Sequence, residues 1–386
     1  MAGYKANNAR LAKNTLFLYI RMIFIMIVTL YTSRVVLKVL GVDDFGIFNV
    51  VAGVVAMFGF LNSSMSATTQ RFISFSLGKG DDNLNKVFST CVLTHALMAL
   101  IVLVLVESVG LWFLYNKMVI PPDRLTAAFW VFQFSAISTV VTVMAIPFNA
   151  DIIAHEKMSA FAYISIVEVC LKLLIVFMLK LGNVDKLVLY GFLLLLVQCG
   201  IFMAYMCYCL RHFKESHFKF VFEKKLFTEV TAFAGWNFWG YLASILYTQG
   251  LNLLLNVFFG PAVNAARGLA NQVDGAIRLF ASNFQMAINP QIVKSYAANE
   301  LDTMHSLIFR SSKFSFFLLL ALSLPVMIET PYILQIWLGE VPDWTVSFLR
   351  LMLVVVIIDS VANPLMTSAA ATGRVKVYQS VLGGIQ

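Results

Sequence analysis

Residues 87–114 read VFSTCVLTHALMALIVLVLVESVGLWFL, with a single charged side chain, Glu107, in the whole run. The hydrocarbon core of a bilayer is crossed by about 20 apolar residues of helix, so this stretch is long enough to span it. Working outward, runs of the same kind lie at 15–33, 45–66, 125–147, 159–179, 187–210, 229–256, 262–289, 309–330 and 344–366. A further one begins around Val377, and the sequence stops at Gln386 before completing it. The longest connector, Arg211 to Lys225, leaves no room for a soluble domain.

Composition agrees. Sixty per cent of the 386 residues are hydrophobic, 12% are charged and the mean hydropathy is +0.82, whereas a soluble domain carries about a quarter charged residues. The net charge of +8 would suit nucleic acid if it were gathered in one patch. It is instead spread over short segments between apolar runs, so no nucleic-acid partner is expected. Cys91, Cys170, Cys199, Cys207 and Cys209 fall inside or at the ends of spans, which argues against a disulfide framework or a zinc site. The N-terminus, with Lys5, Arg10 and Lys13, runs straight into a full-length span and has no cleavable leader.

The basic residues also orient the chain. With the N-terminus inside, the inner segments hold Lys5, Arg10, Lys13, Arg71, Lys79, Lys86, Lys157, the connector's Arg211, Lys214, Lys219, Lys224 and Lys225, then Lys294, Arg310, Lys313, Arg374 and Lys376. The outer segments hold Arg34, Lys38, Lys117, Arg124, Lys180 and Lys186. Seventeen against six predicts a cytoplasmic N-terminus.

An internal repeat sets the architecture. A shift of 219 residues lays span 87–114 on 306–333 and span 125–147 on 344–366. Gly41 meets Gly260, Ser63 meets Ser282, Ile73 meets Ile292, and the turn Asp81–Asp82 meets Glu300–Leu301. After the tenth span the register slips by two, where Pro147 and Lys157 answer Pro364 and Arg374. A unit of six spans is even, so both copies enter from the same side. The expected fold is therefore an all-α integral membrane protein of two parallel six-helix lobes, related by a pseudo-twofold along the membrane normal. Residues 1–210 form the N-terminal lobe, 211–228 a cytoplasmic basic connector and 229–386 a C-terminal lobe truncated in its fifth helix.

Charges within spans are costly and face a bundle interior or a cavity. The eighth span carries Asn264, Arg267, Asn271, Asp274, Arg278, Ser282, Gln285 and Asn289 at intervals of three and four, a single polar stripe on a helix. One reading is structural, with Asp274 and Arg278 pairing one turn apart. The other assigns Arg267, Arg278 and Asn271 to anionic substrate and Asp274 to ion coupling. The second span offers Asn49 and then Asn62 to Arg71, rich in Ser and Thr, which serve close packing or cavity lining equally well. Arg21, a third of the way into the first span, either snorkels to the interface or joins the substrate cavity. Glu168 and Lys172 form an i, i+4 pair in the fifth span, with Glu168 a candidate for ion coupling. Arg350 and Asp359 stand isolated in the tenth, and Glu107 sits near the outer end of its span. The five histidines show no metal-ligand spacing and no catalytic order, and no Walker loop occurs. Neither an enzyme, nor a metal, nor a cofactor is indicated.

Three stretches resemble the polysaccharide flippases of the multidrug/oligosaccharidyl-lipid/polysaccharide exporter superfamily, relatives of multidrug and toxic compound extrusion transporters. They are Asn14-Thr15-Leu16 entering the first span, Leu40-Gly41-Val42-Asp43-Asp44-Phe45-Gly46-Ile47-Phe48-Asn49, and Ile152-Ile153-Ala154-His155-Glu156-Lys157 after the fourth. The resemblance implies two six-helix lobes in the inner membrane. It implies as substrate an oligosaccharide on undecaprenyl pyrophosphate, flipped by alternating access around the first, second, seventh and eighth spans. Expected partners are that lipid-linked oligosaccharide, the surrounding lipids and a glycan polymerase. Arginine suits such a substrate because guanidinium pairs bidentately with phosphate. The alternative within the superfamily is an ion-coupled multidrug or organic-cation antiporter.

Overall fold

In hydrocarbon every backbone N–H and C=O must find its partner within the protein, and this chain satisfies them by helix nearly throughout. The structure is a computed structural model that describes residues 2–56, 59–80, 83–118, 120–179, 185–219 and 223–385. The side chains of Lys5, Arg10 and Asn264, with Asp81, Asp82 and Lys180, lie outside what is described. Among the described residues there is no strand. The helices are α1 (Ala2–Ala56), α2 (Gly59–Lys79), α3 (Leu84–Leu105), α4 (Leu111–Asn116), α5 (Leu125–Ala154), α6 (Met158–Met178) and α7 (Lys186–His212). They continue with α8 (Lys224–Ala297), α9 (Leu301–Ile328), α10 (Thr330–Leu338), α11 (Thr345–Ala371) and α12 (Val375–Ile385). Seven stretches are long and apolar enough to cross a membrane: Lys13–Gly41, Leu84–Asn116, Pro122–Ala154, Met158–Met178, Lys186–His212, Leu301–Ile328 and Thr345–Ala371.

Three local departures from the expected spans have structural causes. α1 breaks at Gly41, whose φ of 82° and ψ of 171° suit glycine and disfavour any residue with a Cβ. The expected span 45–66 is divided between the end of α1 and α2, and α2 runs on to Lys79 because its hydroxyls bond back along the helix, as Thr68 Oγ1 does to the Ser64 carbonyl at 2.8 Å. The expected break between the seventh and eighth spans is absent, for α8 carries both. In the opening stretch, a π-turn at Val106–Gly110 joins α3 to α4. That extra residue in the turn aims Glu107 at α5, where Gln133 Nε2 donates to its carboxylate at 3.1 Å. Glu107 is thus a partner of α5 and is not simply interfacial.

Contacts divide the chain into two units. The first is Ile20–Ile73 with Asp81–Phe238; the second is Met1–Tyr19 and Ser74–Gly80 with Trp239–Gln386. The basic connector therefore belongs to the first unit, and the very N-terminus packs with the second. In the first unit α5 is central, packing on α3 and α7 through Val102, Val106, Ala128, Val131, Phe132 and Leu187. Helices in lipid gain little from the hydrophobic effect and associate by close packing, which favours small residues at contacts. Gly191 of α7 and Gly110 fill that role, since a Cβ on either would press on Val131 and Phe134 or on the Phe132 ring. In the second unit α9 and α11 enclose Ala270, Ile277, Leu319, Leu334, Leu349, Leu353 and Val356 with α8 and α10. Large apolar side chains face outward in both units; Phe309 is 75% and Ile336 69% exposed.

The repeat survives in backbone detail. α3 and α5 of the first unit correspond under the 219-residue shift to α9 and α11 of the second. The helix end at Gly80 has a φ of 66° and its counterpart Asn299 a φ of 61°. Glu156 at φ 59° is answered, with the two-residue slip, by Gly373 at φ 78°. Left-handed residues end helices by freeing the last carbonyls to new partners, so the same stop occupies the same place in both copies. Pro147 within α5 and Pro364 within α11 complete the match.

Within the second unit Gly78 of α2 lies against the backbone of Lys294 in α8, closer than any side chain allows. A helical Gly→Ala change ordinarily gains up to about 1 kcal/mol, but overpacking costs about 1–3 kcal/mol. Gly78→Ala is expected to lower the thermal midpoint of the detergent-purified protein. Gly235→Ala in α8, where a Cβ meets nothing within 4 Å, should leave it unchanged or raise it. Equal shifts would remove Gly78 from the contact.

Candidate functional site

Each unit holds a polar cavity. In the first, α1, α6 and α7 enclose about 470 Å³ lined by Arg21, Thr32, Phe48, Asn49, Glu168, Lys172 and Tyr190, among others. Helical spacing positions these groups: Glu168 and Lys172 lie one turn apart on α6, and Lys172 Nζ donates to Glu168 Oε1 at 2.6 Å. Phe48 and Tyr190 meet edge-to-face at 4.8 Å and brace the wall. Arg21 lies with its guanidinium 4.3 Å from the centre of the Phe161 ring, a stacked arrangement that holds the group in place. Its Nε is buried and has no hydrogen-bond partner. With two cations and one carboxylate, the lining carries a net charge of +1.

In the second unit α8, α9 and α11 enclose about 400 Å³ lined by Arg278, Ser282, Gln285, Asp359, Ser360 and Asn363 with several apolar groups. Arg278 Nε donates to Asp274 Oδ2 at 2.7 Å and a terminal nitrogen to Asp359 Oδ2 at 3.0 Å. One cation between two carboxylates leaves −1.

The structure therefore divides the polar stripe that the sequence presents as one. Arg278 and Asp274 form the expected i, i+4 pair, and Asp359 joins them from α11, so Asp359 is not isolated. Arg350 is not isolated either, for its Nε caps the end of α9 through the Met327 carbonyl at 2.9 Å. Gln285 Nε2 donates to the Ser360 carbonyl at 3.3 Å, and Thr367 donates to Asn289 Oδ1 at 3.3 Å. Asn271 is partly buried. Arg267 is buried at 6% exposure, about three turns from Arg278, and lines neither cavity described here. Arg267 and Arg278 are thus not brought to one cavity, and Arg21 has no arginine beside it in its own. The hydroxyl-rich α2 serves packing: Ser64 donates to the Ala234 carbonyl at 3.0 Å, and Asn237 donates to Thr68 Oγ1 at 3.2 Å.

Two further charge clusters escaped the sequence reading. Arg124, at the start of α5, grips both Asp44 and Asp185, while Asp185 also caps α7 by accepting from Leu187 and Val188. Burial works against the Asp185 carboxylate, yet Arg124 and these N–H groups hold it below the usual range. Asp44 of the Leu40–Asn49 stretch thereby gains a structural role. The second cluster joins Asp151, His155 and Glu215, so the histidines are not all without ligand-like company. Burial disfavours the His155 imidazolium, but Asp151 and Glu215 outweigh it and raise its pKa to about 9.

No protein-family model and no curated protein sequence matches the chain. Solved structures do. A crystal structure of a mutant MATE transporter superimposes with a TM-score of 0.81 at 12% identity, over 96% of this chain and 84% of that one. An outward-facing multidrug resistance MATE family transporter of the MOP superfamily gives 0.78 at 12% identity, over 97% and 84%. A MOP superfamily transporter from Pyrococcus furiosus, whose reversed pocket polarity suggests a different function, gives 0.72 at 12% identity, over 97% and 89%. The chain has the MATE fold, that of a multi-pass membrane transporter and not of an enzyme.

The Arg278 triad can be checked by a double-substitution cycle on thermal stability. Arg278→Ala leaves Asp274 and Asp359 facing each other and is expected to destabilise. Asp359→Asn in that background should recover part of the loss, with a coupling on the order of 1 kcal/mol given the exposure of both groups. Strictly additive effects would show that the pair does not interact.

Proposed function

We propose that the chain is a secondary transporter of an anionic amphiphile, of the lipid-linked oligosaccharide type. It would act by alternating access in the cytoplasmic membrane, with the N-terminus inside. One observation carries this reading: the net positive cavity of the first unit, where Arg21 presents a buried, unpartnered Nε. A guanidinium held by stacking is preorganised for a phosphate oxygen, and the aromatic and apolar remainder of the wall suits a lipid or sugar face. Arg278 and Asn271 fit the role less well, since Arg278 is already held by two carboxylates. Glu168 and Asp274 remain proposed ion-coupling groups, each bonded to a basic neighbour that a cation or proton would have to release. A glycan polymerase and the surrounding lipids are the partners this reading entails.

A second reading, ion-coupled export of organic cations, also has support. The multidrug resistance transporter among the solved neighbours favours it, and so does the net negative cavity around Asp274 and Asp359. For the Pyrococcus furiosus neighbour, reversed pocket polarity is what suggests a different function, so the sign of the charge is the property to test.

In a strain whose own gene for this chain is deleted, Arg21→Ala at matched membrane abundance is expected to cut surface polysaccharide at least about tenfold, the loss of one charge-assisted phosphate contact. Arg21→Lys, which keeps the charge and loses the fork, should fall between. Cationic-dye efflux should be unchanged. Undiminished polysaccharide together with altered efflux would reject the first reading for the second.

A further inference from the structure

The cluster at the end of α5 lies away from the residues lining either cavity, and neither reading above uses it. Asp151 is on the last turn of α5, His155 caps that helix, and Glu215 comes from the 3-10 turn Lys214–Ser216 in the connector. Asp151 is fully buried, at 0% exposure, and His155 and Glu215 are partly buried. Donor atoms from the three side chains lie within 4.8 Å of one another.

The imidazole is held in one tautomer. Nδ1 lies 3.0 Å from the Asp151 carbonyl and donates to it, and the ring stacks on Phe213 at 3.9 Å. This leaves the Nε2 lone pair directed into the cluster. Glu215 Oε1 stands 2.9 Å from Nε2 and Asp151 Oδ1 3.2 Å from Nδ1, yet both oxygens are buried and neither is in hydrogen-bond geometry. Two carboxylates and a lone pair so close repel one another unless a cation lies among them, and a proton on the ring does not reach these oxygens along a good line. The outer contacts are already made. Ser216 Oγ donates to Asp151 Oδ2 at 2.6 Å, and Asn85 Nδ2 donates to the carbonyls of Glu215 and His217 at 2.7 and 2.6 Å. A histidine fixed through its other nitrogen by a carbonyl, with ligating carboxylates that are themselves hydrogen-bonded, is the usual surround of a metal ligand.

We propose that Asp151, His155 and Glu215 bind a first-row transition dication of the zinc class. One nitrogen and two carboxylate oxygens suit that class, the doubly charged ion neutralises both carboxylates, and water can complete the shell. The ion pins the connector to the end of α5 and makes the order of residues 213–217 depend on metal.

The test uses the full chain, purified in detergent, stripped with chelator and titrated calorimetrically with Zn²⁺. About one Zn²⁺ per chain is expected, with a rise in thermal midpoint and no comparable response to Mg²⁺. His155→Ala and Glu215→Gln should each weaken binding at least about tenfold and abolish the thermal shift. His305→Ala, an exposed histidine elsewhere, should change neither. Zn²⁺ binding that survives both substitutions overturns the proposal. So does an absence of binding in a folded protein whose midpoint instead falls as the pH is raised through about 9, which would make the shared cation a proton. If one variant fails to fold, the other still decides the matter.

Discussion

The constraint on which everything else rests is the poverty of hydrogen-bond partners in hydrocarbon. Water is absent, so every peptide group must be satisfied within the chain, and helix does this locally. Once the backbone is closed in this way, side chains are left to decide packing and charge, and each polar side chain in a span has to find company. Hydroxyls find it along their own helix, as Thr68 and Thr94 do with carbonyls four residues back. Glu107 finds Gln133, and Gln285 finds the Ser360 carbonyl.

Charge follows a recurring pattern. Arg124 is shared by Asp44 and Asp185, Arg278 by Asp274 and Asp359, and His155 by Asp151 and Glu215. Each time one base stands between two acids, drawn from different segments, and acts as a cross-link of helices as much as an ion pair. The cavity of Arg21, Glu168 and Lys172 inverts that ratio, with two bases to one acid. A structural tie satisfies its charges internally, whereas a surplus of one sign beside open volume invites a partner from outside. That contrast separates the first-unit cavity from the three ties.

Much of this was legible in the sequence because it depends on length and period. Apolar runs of membrane length became helices, and the repeat at 219 residues reappeared down to the left-handed stops at Gly80 and Asn299. The polar stripe from Arg267 to Asn289 was visible as a stripe, but its partners were not. Asp359 is 81 positions from Arg278, and Ser216 is 65 from Asp151; no local pattern joins residues so far apart. Arg267 illustrates the other limit, since helical spacing gives a face and cannot say whether that face meets open volume or another helix. The pairing of Asp151 with His155 one turn apart was in view, and Glu215 was the element the sequence could not place.

The π-turn at Val106–Gly110 has a consequence for how this protein can vary. Such a turn accommodates one residue more than a regular helix would over the same rise. Removing a single codon there would restore an unbroken α-helix and rotate all that follows, Trp112 and Leu114 included, by about 100°. Leu114 would leave the core it now fills and Glu107 would swing away from Gln133. Point substitutions along this stretch mostly exchange one lipid-facing group for another. A one-residue deletion rewrites an entire helix face, so over generations the length of this segment is held more tightly than its letters.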